Sequence, residues 1–290
     1  MKSYSYFPGC SLKGMSSSYD ISTRRVAELF DVELEELEDW NCCGATSYMA
    51  VNELLSFSIS ARNLVLAERV GKDLVTPCSA CFSILNKTEV YLKEHEDLKA
   101  KVEKCLNAAN LSYGGGVRVR HLLDIFVNDV GYEAIRSKAK KTLNGLKLAP
   151  YYGCQIVRPK NTFDHHESPT SLDELLGHLG ADVVDYAYKV KCCGASLIIY
   201  DERAALELVD KLLNCAVEKE ADAIVTTCPL CHMNLDNYQT RINRIFGRNY
   251  KIPILYFTQA IGLAAGFTIK EMAVDKSITP VNGKFRRLFE

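Results

Sequence analysis

The chain reads as an α/β protein of two pseudo-twofold-related domains, each a small parallel sheet flanked by helices. Three observations predict this. Short apolar runs alternate with stretches of helical periodicity, the pattern of strand–helix–strand crossovers and hence of parallel sheets. Local sequences recur 150 residues apart: Asn41-Cys42-Cys43-Gly44-Ala45 matches Lys191-Cys192-Cys193-Gly194-Ala195, and Leu74-Val75-Thr76-Pro77-Cys78 matches Ile224-Val225-Thr226-Thr227-Cys228. A period this long marks a duplicated domain rather than a solenoid. Ten of the 12 cysteines fall into two sets of five, C-x31-CC-x34-CxxC and C-x37-CC-x34-CxxC.

In the first half, Tyr4 to Phe7 predicts a strand that Pro8-Gly9 stops, with Cys10 just past its end. Tyr19 to Phe30 is amphipathic behind a serine-rich loop that supplies an N-cap. A second strand, about Glu33 to Asp39, leads to Cys42-Cys43-Gly44, and the pattern is helical from Ser47 to Val70, with Gly71 as C-cap. Leu74 to Thr76 is a short buried strand that ends at Cys78-Ser79-Ala80-Cys81. A helix to about His95, another over residues 98–110, a break at Gly114-Gly115-Gly116, a strand Val117 to Arg120 and a helix Leu122 to Val130 complete the half.

The second half repeats this order. Strands are expected at Ala149 to Tyr152, Asp182 to Val190, Ala223 to Thr227 and Pro253 to Tyr256. Helices are expected at Thr170 to Leu179, Glu202 to Lys219, directly after Cys228, and from the last strand to Gly266. The basic stretch Lys138 to Lys147 is the junction, so the domains are placed at residues 1–146 and 147–267. A tail over 268–290 has no repeat counterpart, and its apolar and basic residues suit either a docking segment or packing on its own domain. All ten repeat cysteines then lie beyond the C-terminal ends of strands, where open α/β sheets place their ligands.

Composition narrows the function. A chain of 290 residues that is 48% hydrophobic fills two ordinary domains. The net charge of −1 shows no bulk bias toward nucleic acid or an acidic membrane surface. No stretch of 18 apolar residues predicts a membrane span, and the N-terminus lacks the apolar core of a signal peptide, so a cytoplasmic location is expected. So many cysteines in such a chain point to metal or redox chemistry rather than a disulfide framework.

Three chemistries compete for the cysteines. A structural zinc site takes four tetrahedral ligands, one fewer than each set offers. Adjacent cysteines meet one ion only on a distorted backbone, whereas a multi-iron cluster lets neighbouring thiolates bind different irons, with Gly44 and Gly194 allowing close backbone approach. A thioredoxin-like dithiol explains one CxxC and leaves the other cysteines and the duplication unexplained. CxxC at a helix N-terminus favours thiolates in every case. Cys105 and Cys215 have no counterparts and are expected as buried helix residues.

With its paired Cys42-Cys43-Gly44 and Cys192-Cys193-Gly194 motifs and its length, the chain resembles the cysteine-rich CCG-domain family of the CoB–CoM heterodisulfide reductase B subunits. That family also includes iron–sulfur subunits of glycolate and lactate oxidases, thiol:fumarate reductases and some succinate dehydrogenases. The C-x2-C-x2-C-x3-C-P run of fused ferredoxin domains is absent from this sequence, as in a stand-alone B subunit. The resemblance implies a disulfide oxidoreductase with a non-cubane [4Fe-4S] cluster in each domain. The ligands would be Cys10, Cys42, Cys43, Cys78 and Cys81 in the first, and Cys154, Cys192, Cys193, Cys228 and Cys231 in the second. The implied substrate, CoM-S-S-CoB, binds between the clusters. With no flavin or nicotinamide motif present, electrons are expected from a ferredoxin-like iron–sulfur C subunit that is fed by a flavoprotein A subunit, with a hydrogenase or formate dehydrogenase as a further partner. The other readings kept open are an electron-transfer subunit of one of the related oxidoreductases and a zinc-stabilised scaffold.

Such a substrate is anionic at both ends. Lys13, Arg158, Lys189 and Lys191 flank the cysteine loops and are candidate contacts, although a solvated surface charge is the commoner reading of each. His232 follows Cys231 and is a candidate proton donor or sulfur hydrogen-bonder, or else a partly buried helix histidine. Met49 and Leu197-Ile198, after the CCG turns, wall the cleft or pack the following helix, and His165-His166 reads as an exposed loop pair.

Overall fold

The protein is described by a computed structural model covering residues 2–45, 47–159, 163–281 and 283–289. Eight strands form two four-stranded sheets, all pairs parallel, in the orders β2-β1-β3-β4 and β6-β5-β7-β8. The first sheet comprises β1 (Lys2–Tyr6), β2 (Val32–Glu36), β3 (Leu74–Thr76) and β4 (Val119–His121). The second comprises β5 (Lys147–Tyr151), β6 (Asp182–Val183), β7 (Ala223–Thr226) and β8 (Ile254–Tyr256). In both, strand order reverses between the first and third strands, which opens a crevice where two crossovers leave the sheet in opposite directions. β3, β7 and β8 are buried throughout, as strands covered on both faces must be. The edge strand β2 instead carries Glu33 and Glu35 toward solvent.

The expected strand from Asp182 to Val190 is cut to two residues. Beyond it the chain turns back on itself, and the Lys189 carbonyl accepts hydrogen bonds from Tyr152 N and Gly153 N at 2.9 and 3.1 Å. This shortening explains how Pro150 sits in a central strand. Leu146 and Leu148 offer their carbonyls to β6 and Lys147 offers its own to Asp222 N, beside β7, so the missing N–H of Pro150 faces the side where β6 has already ended.

The helix expected from Ser47 to Val70 divides into Ser47–Val51 and Glu53–Val70, because Asn52 is extended and caps the second with a side-chain bond from Leu55 N at 3.0 Å. The stretch after β4 is helical to Ser137, with Ile125–Gly131 wound as a π-helix. That wider turn aligns Asp124 with Asp129, and both carboxylates pair with the buried Arg120 at 2.6 Å.

Two reciprocal helix contacts join the halves. The helix Ser17–Leu29, after β1, packs on Phe257–Ala264, after β8. Its equivalent Ser171–His178, after β5, packs on Tyr132–Ser137, after β4. This is the isologous pattern of a twofold axis. At the first contact Tyr19 stacks on Tyr256 with centroids 4.0 Å apart, and Ser22 Oγ lies 2.7 Å from Thr258 Oγ1. The tail folds back on the second half: Met272, Val274, Phe285 and Phe289 are buried, and the amides of Ile278 and Thr279 donate to Asp236. Most of its described apolar residues are thus used within the chain, while Ile278 is exposed; positions 282 and 290 lie outside the described residues.

Candidate functional site

Each lone cysteine follows a glycine in the left-handed region, Gly9 at φ 72° and Gly153 at φ 69°. A Cβ at Gly9 would lie 3.1 Å from Cys81 Sγ, and one at Gly153 3.0 Å from Cys231 Sγ. Glycine is therefore required twice over, by backbone conformation and by the neighbouring sulfur. The two CxxC motifs open helices as the sequence predicts. Cys78 is the N-cap of Ser79–Glu94, and Cys228 is the N-cap of Pro229–Asn237, with proline at the first helical position.

The CCG loops are tied down by side chains that spacing alone does not reveal. Asn63, fully buried, accepts from Asn41 N at 3.0 Å and donates to the carbonyls of Asn41 and Cys42. Ser56 Oγ donates to the Gly44 carbonyl at 2.7 Å, and Asn234 Nδ2 donates to the Cys193 carbonyl at 2.6 Å. Gly44 and Gly194 have φ of 86° and 73°, and the close approach they permit is to the helix that follows each loop.

These elements bring the thiols together. In the first half Cys10 lies beside Cys42, Cys42 beside Cys43, and Cys81 near both Cys43 and Cys78, each close enough to shift its neighbour's ionisation. In the second, Cys193 Sγ lies 3.6 Å from Cys231 Sγ, with Cys154 near Cys192 and Cys228 near Cys231. Cys78 and Cys228, equivalent by repeat, are near enough to shift each other's ionisation, and Ser79 Oγ beside the one lies 3.4 Å from Thr227 Oγ1 beside the other. Cys43, Cys78, Cys81, Cys193, Cys228 and Cys231 are buried; Cys10, Cys42 and Cys192 are exposed and Cys154 is half-buried.

So many adjacent thiols cannot ionise together. Beside Cys154 the Cys192 thiol is drawn down to about 6, and its nearness in turn pushes Cys154 up. Cys43 is lowered by Cys42 and then Cys81, and Cys228 by Cys231 and then Cys78. A cationic metal group removes that conflict. Among the described residues, no three His, Cys, Asp or Glu side chains are gathered around the position of a single metal ion. A row of linked thiols beside glycines that clear space for sulfur suits a polynuclear group, whose separate metal atoms take neighbouring thiolates.

A cavity of about 370 Å³ opens between the halves. All five thiols of the second set line it, together with Tyr152, Gln155, Ala195, Ser196 and Leu230. The opposite wall belongs to the first half, with Ala45, Met49 and the helix face Ser79, Ala80, Ser83, Ile84 and Lys87. Met49 thus walls the cleft, whereas Leu197 and Ile198 are absent from the described lining. A larger hollow of about 700 Å³, lined by Arg136, Thr142, Glu174 and His178 among others, contains no cysteine.

The other candidate residues are dispersed. Lys13 pairs with Glu36 at 2.7 Å, and Lys189 with Asp173 at 3.1 Å. Lys191 and Arg158 are exposed; of these Arg158 is near enough to help lower the Cys192 thiol. None of the four lines the cavity. His232 is buried and stacked on Tyr256 with centroids 4.2 Å apart, its Nε2 is without a partner, and desolvation lowers its pKa to about 4. His165 and His166 are exposed, as expected.

Two expectations are corrected. Cys105 is exposed, because the helix Glu96–Asn107 buries Val102 and Leu106 and turns Cys105 outward, and Cys215 is only half-buried. Asn63, Asn234, Lys87 and His121 were not singled out from the sequence. Asparagine and lysine are too common for spacing to flag, and only His121, beside the end of a strand that enters a helix, carried a local signal.

The model of the cysteine-rich (CCG) domain matches residues 4–86 and again 148–236. The 8-methylmenaquinol:fumarate reductase membrane anchor subunit of Wolinella succinogenes is 34% identical over 96% of this chain and 97% of its own. The B subunit of a ferredoxin/F420H2-dependent CoB–CoM heterodisulfide reductase of Methanosarcina acetivorans is 32% identical over 96% and 94%. A protein of Archaeoglobus profundus described as like the heterodisulfide reductase B subunit is 31% identical over 100% and 99%. The crystal structure of a hypothetical protein from Helicobacter pylori superposes with a TM-score of 0.78 at 15% identity, covering 97% of this chain and 52% of that one, and so shares the fold. Among the described residues no helix is long and apolar enough to cross a membrane. Duplicated motif, duplicated sheet and full-length relatives agree: the chain belongs to the cysteine-rich CCG-domain family and carries two copies of the domain.

Proposed function

We propose that this chain is the iron–sulfur subunit of an oxidoreductase complex that reduces the CoM-S-S-CoB heterodisulfide to its two thiols. The observation that carries the reading is the contact of Ser79 with Thr227, 3.4 Å between hydroxyl oxygens, which makes the two CxxC motifs, and with them the two five-cysteine sets, neighbours across the join of the halves. Cys10, Cys42, Cys43, Cys78 and Cys81 would hold one non-cubane [4Fe-4S] cluster, and Cys154, Cys192, Cys193, Cys228 and Cys231 the other. Two such clusters would supply electrons one at a time, and together the two electrons that an S–S bond takes up. The helix N-termini behind Cys78 and Cys228 stabilise their thiolates. The apolar side chains of Met49, Ile84 and Leu230 exclude water from the cleft where a disulfide would lie. His232 is stacked on Tyr256 outside the described lining, which offers as protic groups the hydroxyls of Ser79, Ser83, Ser196 and Tyr152, the amide of Gln155 and the ammonium of Lys87.

Electrons would enter from partner subunits: a ferredoxin-like iron–sulfur C subunit fed by a flavoprotein A subunit, with a hydrogenase or formate dehydrogenase upstream. The ferredoxin-dependent complexes named for the Methanosarcina relatives support this. A second reading, an electron-transfer subunit of a quinol:fumarate reductase, is favoured by the Wolinella relative at 34% identity. Anaerobically purified protein should hold about eight irons and as many sulfides per chain, and the complex it copurifies with should oxidise its donor when heterodisulfide is added. Zinc without sulfide would overturn the iron–sulfur reading. Turnover with fumarate and a quinol but not with heterodisulfide would replace the first reading by the second.

A further inference from the structure

The cleft carries a charge asymmetry that the duplication lacks. The second half brings five thiols to the cavity, and the first half faces them with one side of the helix Ser79–Glu94. Ala80, Ser83, Ile84 and Lys87 lie three and four residues apart, so they share that face. Lys87 is the one cation among the described residues of the lining. Its Nζ stands over the rings of Phe57 and Tyr91, 5.2 and 4.9 Å from their centroids. These rings steer the ammonium and reduce the rotamer freedom it would lose on binding a ligand. Its nearest carboxylate, Glu53 at 3.6 Å, has a side chain 62% exposed, so the pair is water-screened and readily exchanged. The repeat equivalent, 150 residues on, is the uncharged Asn237.

We infer that Lys87 anchors an anionic group of the substrate, a carboxylate, sulfonate or phosphate, so that the substrate crosses the cleft in one orientation. The anionic end lies on the first-half helix, and the reacting end lies against the thiols of the second half. The inference rests on the proposed function for the identity of the reacting group, and on the cavity alone for the anion.

The test uses the anaerobic holoprotein and two matched probe pairs followed by equilibrium titration: 3,3′-dithiodipropionate against its neutral diamide, and 3-mercaptopropionate against 3-mercaptopropionamide. The anion of each pair should bind about tenfold more tightly than the amide, as one partly desolvated ion pair would give. Lys87→Gln should remove that preference and leave amide binding within about twofold, while Lys87→Arg retains most of it and raised salt weakens it. Anion binding unchanged in Lys87→Gln, or anion and amide weakened alike, would overturn the anchor. Lys87-dependent anion binding with no reduction of any disulfide, when two electron equivalents per disulfide are supplied to the holoprotein as dithionite, would overturn the reductase reading and keep the anchor. Reduction that ignores the charge at position 87 would do the reverse.

Discussion

Replacing Gly44 by alanine, with Gly71→Ala as its control, separates two roles of glycine in one domain. Both residues are in the left-handed region, at φ 86° and 73°. Alanine there costs about 1–2 kcal/mol from the Cβ–backbone conflict alone. Around Gly71 nothing lies within 4 Å of an added Cβ, so that cost should be the whole effect. At Gly44 the Cβ would stand 2.8 Å from the Ser56 carbonyl oxygen and 3.0 Å from Ile59 Cγ1. The Ser56 hydroxyl also holds Gly44 in place, so the loop cannot simply withdraw. Overpacking of this kind adds about 1–3 kcal/mol, for a total near 2–5 kcal/mol. Gly194→Ala, whose nearest contacts are Ala205 Cα at 3.1 Å and a Leu208 methyl at 3.2 Å, should fall between the two. Thermal melts of the three variants under one anaerobic condition give the order directly, and metal analysis should show iron lost from Gly44→Ala before Gly71→Ala. Equal destabilisation by Gly44→Ala and Gly71→Ala would refute the claim that the CCG glycine exists to seat its loop on the following helix.

Three further predictions follow from the same geometry. Asn63→Ala leaves the Asn41 amide without its acceptor and should cost roughly 2–3 kcal/mol, with iron content falling toward half as the first set loses its clamp; unchanged iron and an unchanged melt would discount that role. His121, fully buried and lowered to about 4 by desolvation, binds its proton less readily folded than unfolded, so its contribution is complete above pH 6.5 and is lost as pH falls toward 4. Between pH 7.5 and 5.5 that loss is on the order of 1 kcal/mol, and His121→Asn, which retains an acceptor for the Leu123 amide, should flatten the dependence of the melting temperature on pH. Serine at Cys105 or Cys215 should leave iron and sulfide content as they are, whereas serine at Cys192 should lower both; iron loss from Cys105→Ser would show that the five-cysteine sets are wrongly drawn.

Most of the architecture was legible from residues alone, for identifiable reasons. Leu74-Val75-Thr76 and Ala223-Ile224-Val225-Thr226 are short apolar runs stopped by cysteine motifs, and a strand buried on both faces needs no other signal. Gly71 marked a helix end because only a left-handed residue closes that turn, and it does so at φ 73°. The expectations that shifted depend on neighbours distant in sequence. The run from Asp182 to Val190 has ordinary strand composition, yet it ends after Val183 because the Lys189 carbonyl is taken by the amides of Tyr152 and Gly153. Cys105 reads as apolar, but which face of its helix is covered depends on what packs there.

By itself, then, the sequence determined the duplication, the alternation of strands and helices, and the placing of ten thiols at strand ends, because spacing and periodicity are local properties of the chain. Tertiary structure decided how the two halves meet. The reciprocal helix contacts bring Cys78 near Cys228, and they turn one face of the Ser79–Glu94 helix, with Lys87 on it, toward the thiols of the other half. They leave Lys13 and Lys189 in ion pairs outside the cleft. No spacing rule reaches across 150 residues to say which side chains share a cavity, since that depends on how two separately folded surfaces pack.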